Sequence, residues 1–191
     1  CAAMIDGREE EKEFDVVMLG RIHEQKGVFE LPGIWRETLK QRPEARLLII
    51  GSGPHRAAME EKFKELGVAE SVTCAGSVDE TRKNELLARS RIGLSLSYEE
   101  GWGLSVTEFL ASALPVVAYR LPVFEQVFPD QLELIAPGDT AAAAKEIVAL
   151  LNDDNRRLQR GSAGRDFAQK YDFREIAREE LGILKRAANK S

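Results

Sequence analysis

The chain has 191 residues, 43% of them hydrophobic and 31% charged, a composition that fits one globular domain of ordinary size. Its 27 basic and 32 acidic residues give a formal net charge of −5 with no dense run of lysine or arginine, which disfavours nucleic acid as a partner. Two cysteines are too few for a disulfide framework, and no apolar run approaches the roughly 18 residues of a transmembrane segment, so a cytoplasmic protein is expected.

Short apolar runs alternate along the chain with stretches of helix-forming residues, which is the pattern of a parallel sheet covered by helices. The predicted strands are residues 15–19, 46–50, 71–75, 92–96, 116–119 and 132–135. The predicted helices are residues 32–41, 55–66, 79–89, 104–113 and 140–151, followed by 152–169 and 172–188. The sequence therefore predicts a Rossmann-like, three-layer α/β/α fold with a six-stranded parallel sheet.

The predicted fold occupies residues 15–188, and the polar residues 1–14 before it are interpreted as a linker. Because position 1 is not methionine, we expect the chain to be a piece of a longer protein. Asp79 is placed to cap the third helix, and Asp172 with Glu175 has the spacing of a capping box for the last one.

Glycines cluster where the first four predicted strands end, which is where open parallel sheets bind ligands. They are Gly20, Gly51, Gly53, Gly76, Gly101 and Gly103. The first of these ends also carries Arg21 and Lys26, five positions apart. Two fixed cations can flank a diphosphate, although the same residues also fit a solvated loop with incidental charges. Two lone histidines on loops, His23 and His55, indicate no specific role.

Residues 97–118 combine a buried strand end, a glycine turn and a helix that begins at Gly103. A helix start beside glycines presents free backbone N–H groups and the positive end of the dipole, which suits a phosphate. Glu108 lies roughly one turn into that helix, where a carboxylate would bind sugar hydroxyls rather than phosphates. Glu100 would then lie near a hexose, and Trp102 is a candidate wall of the sugar site. The two carboxylates also fit a glycoside-hydrolase acid/base pair, or plain surface positions.

Two common nucleotide-binding patterns are poorly supported. Gly51-Ser52-Gly53 is only half of a dinucleotide fingerprint, because position 56 is arginine and the strand before it is the second. No P-loop motif occurs in the chain. A dehydrogenase or a nucleoside triphosphatase is therefore disfavoured.

Three motifs together resemble the C-terminal, donor-binding half of a family 4 glycosyltransferase of the GT-B fold. They are Gly20-Arg21 with Lys26-Gly27, then Ile50-Gly51-Ser52-Gly53-Pro54, then Glu100-Gly101-Trp102-Gly103-Leu104 with Glu108 and Pro115-Val116-Val117. The likeness extends over residues 15–188. The third motif, two glutamates separated by seven residues around a glycine turn, is specific for the retaining GT-B enzymes.

The resemblance implies a role for each matched position. Arg21 and Lys26 would hold the donor diphosphate, Glu108 would bind the ribose hydroxyls and Glu100 would bind the transferred sugar. Of these residues, Arg21, Lys26 and Glu100 are the candidate catalytic residues. The backbone N–H groups of Leu104 and Ser105 would complete the diphosphate site. The remaining donor-binding positions are Gly20, Gly51, Gly53, Gly76, Val78, Gly101, Trp102 and Gly103, of which Gly76 and Val78 would lie along the base.

Enzymes of this family transfer a sugar from a nucleotide donor with retention of configuration, and the fold uses no metal or other cofactor. The implied partner is a GDP-, UDP- or ADP-linked sugar. The acceptor would bind through an N-terminal domain that this chain does not contain, so we expect the chain alone to bind donor weakly and to transfer nothing. Many relatives act at membranes through that other half. The sequence departs from the family at Trp102, commonly phenylalanine, and at Ala113, commonly glycine.

Two other functions stay open from the sequence. One is a nucleotide-binding or interaction module that has kept the fold without turnover. The other is half of a nucleotide-sugar epimerase, which is weaker because the two-glutamate motif belongs to the transferases. The base, the sugar, the acceptor and the oligomeric state leave no clear trace in these residues.

Overall fold

The computed structural model describes residues 12–171, which form a six-stranded sheet between two layers of helices. The strands are β1 Phe14–Leu19, β2 Leu47–Ile50, β3 Val72–Gly76, β4 Ser90–Ser95, β5 Val116–Tyr119 and β6 Leu132–Ile135. Neighbouring strands all pair in parallel, in the spatial order β3-β2-β1-β4-β5-β6. The predicted three-layer, six-stranded parallel fold is confirmed, and each strand lies within two residues of its predicted position.

The helices of the described residues connect these strands. They are α1 Leu31–Leu39, α2 Arg56–Glu65, α3 Glu80–Ala88, α4 Leu104–Ala111, α5 Pro122–Val127, α6 Thr140–Asn152 and α7 Asp154–Ala168. The sequence did not predict α5, which has only six residues and begins with Pro122. The predicted last helix, residues 172–188, and its capping box lie outside the described residues.

The central strands are apolar on both faces because helices cover both faces of the sheet. All four residues of β2 and all four of β5 are buried. One face packs against α1, α2 and α6 through a cluster that includes Trp35, Phe63 and Ile147. The other face packs against α3, α4, α5 and α7, with Phe109 and Phe124 among its largest buried side chains.

Helix α4 ends in a turn that explains why glycine is common in the family at the position of Ala113. The N–H of Leu114 donates to the carbonyl of Phe109 and the N–H of Ala113 to that of Leu110, the two bonds of a Schellman motif. This motif requires a left-handed residue at the position of Ala113, whose φ is +57°. Glycine adopts that conformation without strain, whereas alanine places a Cβ against the following carbonyl.

From β1 the chain continues to β2 and β3 on one side of the sheet, and then crosses to β4, β5 and β6 on the other side. The strand order therefore reverses between β1 and β4, and the crevice above these two strands is the topological switch point of the fold. All six strands are parallel, so their carboxyl ends share one edge of the sheet. That edge, called the C-terminal edge below, carries the loops after β1 to β4. The starts of α3 and α4 lie at the same edge.

Candidate functional site

The loops after β1, β2 and β3 are held in direct backbone contact at the C-terminal edge. The N–H of Gly20 donates to the carbonyl of Ile50 at 3.0 Å, and the N–H of Gly51 donates to that of Gly76 at 2.8 Å. A Cβ on Gly51 would lie 1.9 Å from the carbonyl oxygen of Gly20, and φ at Gly51 is +135°. Only glycine satisfies both conditions, so the predicted cluster of strand-end glycines builds a compact floor for the site.

The second glycine of the β2 loop continues that floor. The N–H of Ile22 donates to the carbonyl of Ser52 at 2.9 Å, which brings the two loops together one step further along. A Cβ on Gly53 would lie 2.2 Å from the carbonyl oxygen of Ile22. Gly51 and Gly53 therefore serve the close approach of two protein segments, and this role does not depend on a ligand.

Lys26 lies at the end of a short 3₁₀ helix, Glu24–Lys26, that two histidines hold in place. The backbone N–H of Gln25 donates to Nδ1 of His23 at 3.4 Å, and the N–H of Glu24 donates to Nδ1 of His55 at 3.2 Å. The two imidazole rings are 5.1 Å apart between centroids. The sequence assigned no role to either histidine, because the contact joins loops 31 residues apart.

The ammonium of Lys26 forms an ion pair with Glu100, which joins the first and third motifs of the sequence. The hydroxyl of Ser97 donates to the same carboxylate at 2.8 Å. Both charged side chains are partly buried, 27% and 13% exposed. An ammonium has three donors, so Lys26 can keep this contact and still donate to an anion.

Tyr98 ties the loop that carries Glu100 to the loop that carries Lys26. Its backbone N–H donates to the carbonyl of Gln25 at 2.9 Å, and its hydroxyl donates to the carboxylate of Glu30. The hydrogen bond to Glu30 raises the pKa of Tyr98 to about 12, so the phenol stays protonated at neutral pH. The two loops therefore behave as one connected unit of the site.

Helix α4 begins with an open N-terminus. Gly103, its N-cap residue, is left-handed with a φ of +98°, and no side chain among residues 12–171 caps the helix. Leu104 is 61% exposed and Ser105 is half-buried, whereas Val106 in the same turn is buried in the core. The N–H groups of a first helical turn have no partners within the helix and attract an anion. The predicted helix start at Gly103 is therefore confirmed.

Glu108 lies one turn into α4 and forms an ion pair with Lys83 of α3. The same ammonium donates to Glu80 at 2.8 Å. Burial acts to lower the pKa of Lys83, but the hydrogen bonds and charges of Glu108 and Glu80 outweigh it and raise the pKa. The sequence gave no sign of this contact, which joins residues 25 positions apart on two helices.

Four further predicted residues lie at or near the protein surface. The side chain of Arg21 is exposed and has no hydrogen-bond or ion-pair partner among the described residues. Gly101 and Trp102 are exposed on the turn before α4, and Trp102 is 42% accessible.

Val78 is half-buried in the segment that leads into α3. The carboxylate of Asp79 caps that helix by accepting from the N–H of Arg82 at 2.8 Å. The predicted N-cap is therefore confirmed.

A cavity of about 450 Å³ lies at the opposite edge of the sheet, where the strands begin. It is lined by Glu13, Asp15, Arg42, Glu44, Arg46, Arg91, Leu151, Asp154 and Arg157. Its basic and acidic side chains are equal in number, and most of the charges pair with each other. The arrangement is that of a structural ion-pair network and is distant from the predicted residues.

Within residues 12–171 no group of three or more histidine, cysteine or acidic side chains is arranged to hold a metal ion. No helix in that part of the chain is long and apolar enough to cross a membrane.

The chain matches the family model of "Glycosyl transferases group 1" over residues 4–167. The chain belongs to this family. It is also 32% identical over 164 residues, 83% of the chain, to the sulfoquinovosyl transferase SQD2 of Arabidopsis thaliana. The chain spans about a third of that relative's length, 31%.

Solved structures show that the fold is that of the group 1 glycosyl transferases. The pneumococcal O-GlcNAc transferase GtfA, solved with UDP and GlcNAc, aligns at a TM-score of 0.82 and 21% identity over 96% of this chain and 37% of its own. The C-terminal domain of a group 1 glycosyl transferase from Francisella tularensis aligns at a TM-score of 0.76 and 21% identity over 88% of this chain and 94% of its own. The chain is therefore a glycosyl transferase domain of the GT-B type, in agreement with the resemblance of its motifs.

Proposed function

We propose that this group 1 domain binds the donor of a retaining, family 4 glycosyltransferase, and that the donor is a nucleoside diphosphate sugar carrying a hexose. The observation that carries the proposal is the contact of Lys26 with Glu100 beside the open start of α4. It places a cation, a carboxylate and free backbone N–H groups at the topological switch point, where α/β sheets of this kind bind ligands.

The diphosphate would be held by Arg21, Lys26 and the first-turn N–H groups of Leu104 and Ser105. A guanidinium offers a planar fork of donors that matches phosphate oxygens, and the exposed Arg21 has that fork available. In the transfer step the bond between the anomeric carbon and the diphosphate oxygen breaks, and negative charge develops on the leaving diphosphate. Fixed cations and N–H dipoles stabilise that charge, which is an electrostatic form of catalysis.

The two carboxylates would bind the sugars on either side of the diphosphate. Glu100 would accept hydrogen bonds from the hydroxyls of the transferred hexose, and Glu108 from those of the ribose. The loop with Gly76 and Val78, which leads into α3, would lie along the base and contact it mainly through backbone groups. Retention of configuration is proposed from the resemblance of the motif with Glu100 and Glu108 to that of the retaining GT-B enzymes. The acceptor would be held by another part of the whole enzyme.

The similar structures support the nature of the donor. The aligned pneumococcal transferase was solved with UDP and GlcNAc, a nucleoside diphosphate and a hexose derivative. The base is not specified by these contacts, so GDP, UDP and ADP donors are all to be tested. A domain that binds a nucleoside diphosphate but takes part in no transfer is the second candidate.

Isothermal titration of the 191-residue chain with UDP, GDP and ADP tests the proposal. Removing a phosphate contact by Arg21→Ala should weaken binding of the best diphosphate by about tenfold or more. Glu108→Ala should weaken it by a similar factor through the ribose. The matched control is Lys40→Ala, because Lys40 is 62% exposed and pairs with Glu37 at the end of α1, away from the site.

Two results of this titration would contradict the proposal. If no diphosphate binds, or if Arg21→Ala and Glu108→Ala bind as the wild type does, the donor site is not where we place it. We expect no sugar transfer by the 191-residue chain alone, and detectable transfer would refute the assignment of the acceptor site to another part of the enzyme.

A further inference from the structure

Lys83 is the most enclosed of the lysines that form ion pairs in the described part of the chain. Its side chain is 13% exposed, whereas those of Lys40, Lys62 and Lys64 are 50% to 65% exposed. A lysine ammonium is strongly hydrated, and removing it from water costs free energy unless charged partners compensate. Here the compensation comes from two carboxylates, Glu108 on α4 and Glu80 on α3.

The two partners of Lys83 are not equivalent. Glu80 is 68% exposed and lies three residues away on the same helix, which is the geometry of an ordinary surface pair. Glu108 is 36% exposed and comes from the neighbouring helix. The ammonium contacts one carboxylate oxygen of Glu108, Oε1, and no side chain among residues 12–171 donates to the other. One oxygen is therefore fixed, while the other is available to a ligand.

A carboxylate that binds the two adjacent hydroxyls of a ribose must present its oxygens in one orientation, and a glutamate at a helix surface has several rotamers to choose from. The ion pair with Lys83 removes most of that freedom before the ligand arrives. The position fits this role, because the segment containing Gly76 and Val78 leads directly into α3 and α4 begins at the same edge.

We propose that Lys83 is a positioning residue that orients the carboxylate of Glu108 for the hydroxyls of a ribose in the bound nucleotide. This inference rests on the proposed function, because it requires a nucleoside diphosphate at the C-terminal edge. The other role for Lys83 is a purely structural link between α3 and α4. The two roles differ in one measurable respect: only a positioning role makes the preference for ribose over a sugar without hydroxyls depend on Lys83.

The test measures dissociation constants by calorimetry for the best of UDP, GDP and ADP and for its 2′,3′-dideoxy counterpart. The ratio of the two constants reports the contribution of the ribose hydroxyls. The variants are Lys83→Met, which keeps the length of the side chain without the charge, and Lys83→Arg, which keeps the charge. Lys62→Met is the matched control, because Lys62 pairs with Glu65 on the outer surface of α2 and is 50% exposed. Thermal unfolding of each variant measures any loss of stability separately.

We expect the wild type to prefer the ribose form by about a hundredfold or more, as two hydrogen bonds to a charged carboxylate would give. Glu108→Ala should abolish the preference, and Lys83→Met should reduce it by about threefold or more while the dideoxy form binds nearly as before. Lys83→Arg should restore much of the preference, and Lys62→Met should leave it unchanged.

Two results would overturn the inference, and they are distinguishable. If the wild type prefers ribose and Glu108→Ala abolishes that preference, but Lys83→Met retains it in full, Lys83 does not position the carboxylate and the proposed function survives. If the wild type binds none of the three diphosphates, the proposed function fails and this inference fails with it. A loss of thermal stability in Lys83→Met with an unchanged ribose ratio would assign Lys83 the structural role alone.

Discussion

The two edges of the sheet are both rich in charge, but they use it differently. At the opposite edge, arginines meet carboxylates in closed pairs such as Arg42 with Glu44 at 2.8 Å and Arg157 with Asp154 at 2.5 Å. At the C-terminal edge, charged groups keep donors or acceptors to spare, as Arg21 does, and a helix start is left open. Charged groups in closed pairs have little hydrogen-bonding capacity left, whereas groups with spare donors or acceptors can bind a ligand.

This difference predicts whether a substitution at each edge should change ligand binding or the free energy of unfolding. At the C-terminal edge, changes to exposed side chains should alter binding more than stability. Changes to the backbone contacts there should alter both binding and stability, because the loops lie too close together to admit a side chain between them. At the opposite edge, substitutions should change the free energy of unfolding and leave nucleotide affinity as it is. The three predictions below test this division.

The largest effect is expected from Gly51→Ala at the C-terminal edge. Its Cβ would meet the carbonyl oxygen of Gly20 at 1.9 Å and the backbone conformation is left-handed, so the loops after β1 and β2 must move apart. We expect a loss of about 3 kcal/mol in the free energy of unfolding, measured with urea, together with loss of diphosphate binding.

The matched control for that variant is Gly33→Ala in α1. A Cβ there meets nothing within 4 Å, and its φ is not left-handed. Alanine in a helix should raise the free energy of unfolding by up to about 1 kcal/mol. If Gly51→Ala unfolds at the same urea concentration as the wild type, the close approach of the two loops is not required by the fold.

The next effect is expected from Arg157→Ala at the opposite edge. The Arg157 side chain is only 3% exposed and packs beside the cavity while pairing with Asp154. Removing its guanidinium and its apolar stem should lower the free energy of unfolding by about 2 kcal/mol. Nucleotide affinity, measured by calorimetry on the folded protein, should stay as in the wild type. A clear loss of affinity would show that the two edges are not independent.

The smallest effect is expected from Ala113→Gly, which should stabilise the protein. The left-handed conformation of Ala113, with a φ of +57°, is strained for alanine and relaxed for glycine. The gain should be about 1 kcal/mol, since part of the relief is offset by the greater freedom of glycine in the unfolded chain. Ala111→Gly, two residues earlier at the last position of α4, should destabilise by up to a similar amount. Equal signs for the two variants would contradict the Schellman geometry.

The fold was predictable because its signal is repeated along the chain. Each strand is a short apolar run, and each of the first four is followed by glycine or another small residue. The hydrophobic pattern and the positions of the glycines therefore indicate the same strand ends. Helix α5 was missed because six residues that begin with a proline carry too little pattern to separate a helix from a loop. The strain at Ala113 could be suspected from the family pattern, but its cause became visible only in the hydrogen bonds of the turn.

The sequence indicated which residues lie at the C-terminal edge, but it did not indicate which of them contact each other. Lys26 and Glu100 were assigned separate roles, and their ion pair joins positions 74 residues apart. Lys83 was overlooked because it lies in a helix of mostly exposed polar residues, and only the packing of α3 beside α4 places it against Glu108. Such contacts depend on how the chain is folded in space, which local sequence patterns do not encode.

The double link through Tyr98 has a practical consequence for exchanging loops between related domains. Its amide binds Gln25 and its hydroxyl binds Glu30, so the segments following β1 and β4 are fastened to each other at two points. A chimera that imports only one of these segments from a related domain loses the hydrogen bond between Tyr98 and Glu30 unless the imported segment carries the same residue at that position. Exchanging both segments together, with their own tyrosine and glutamate, keeps the two contacts that hold Lys26 beside Glu100.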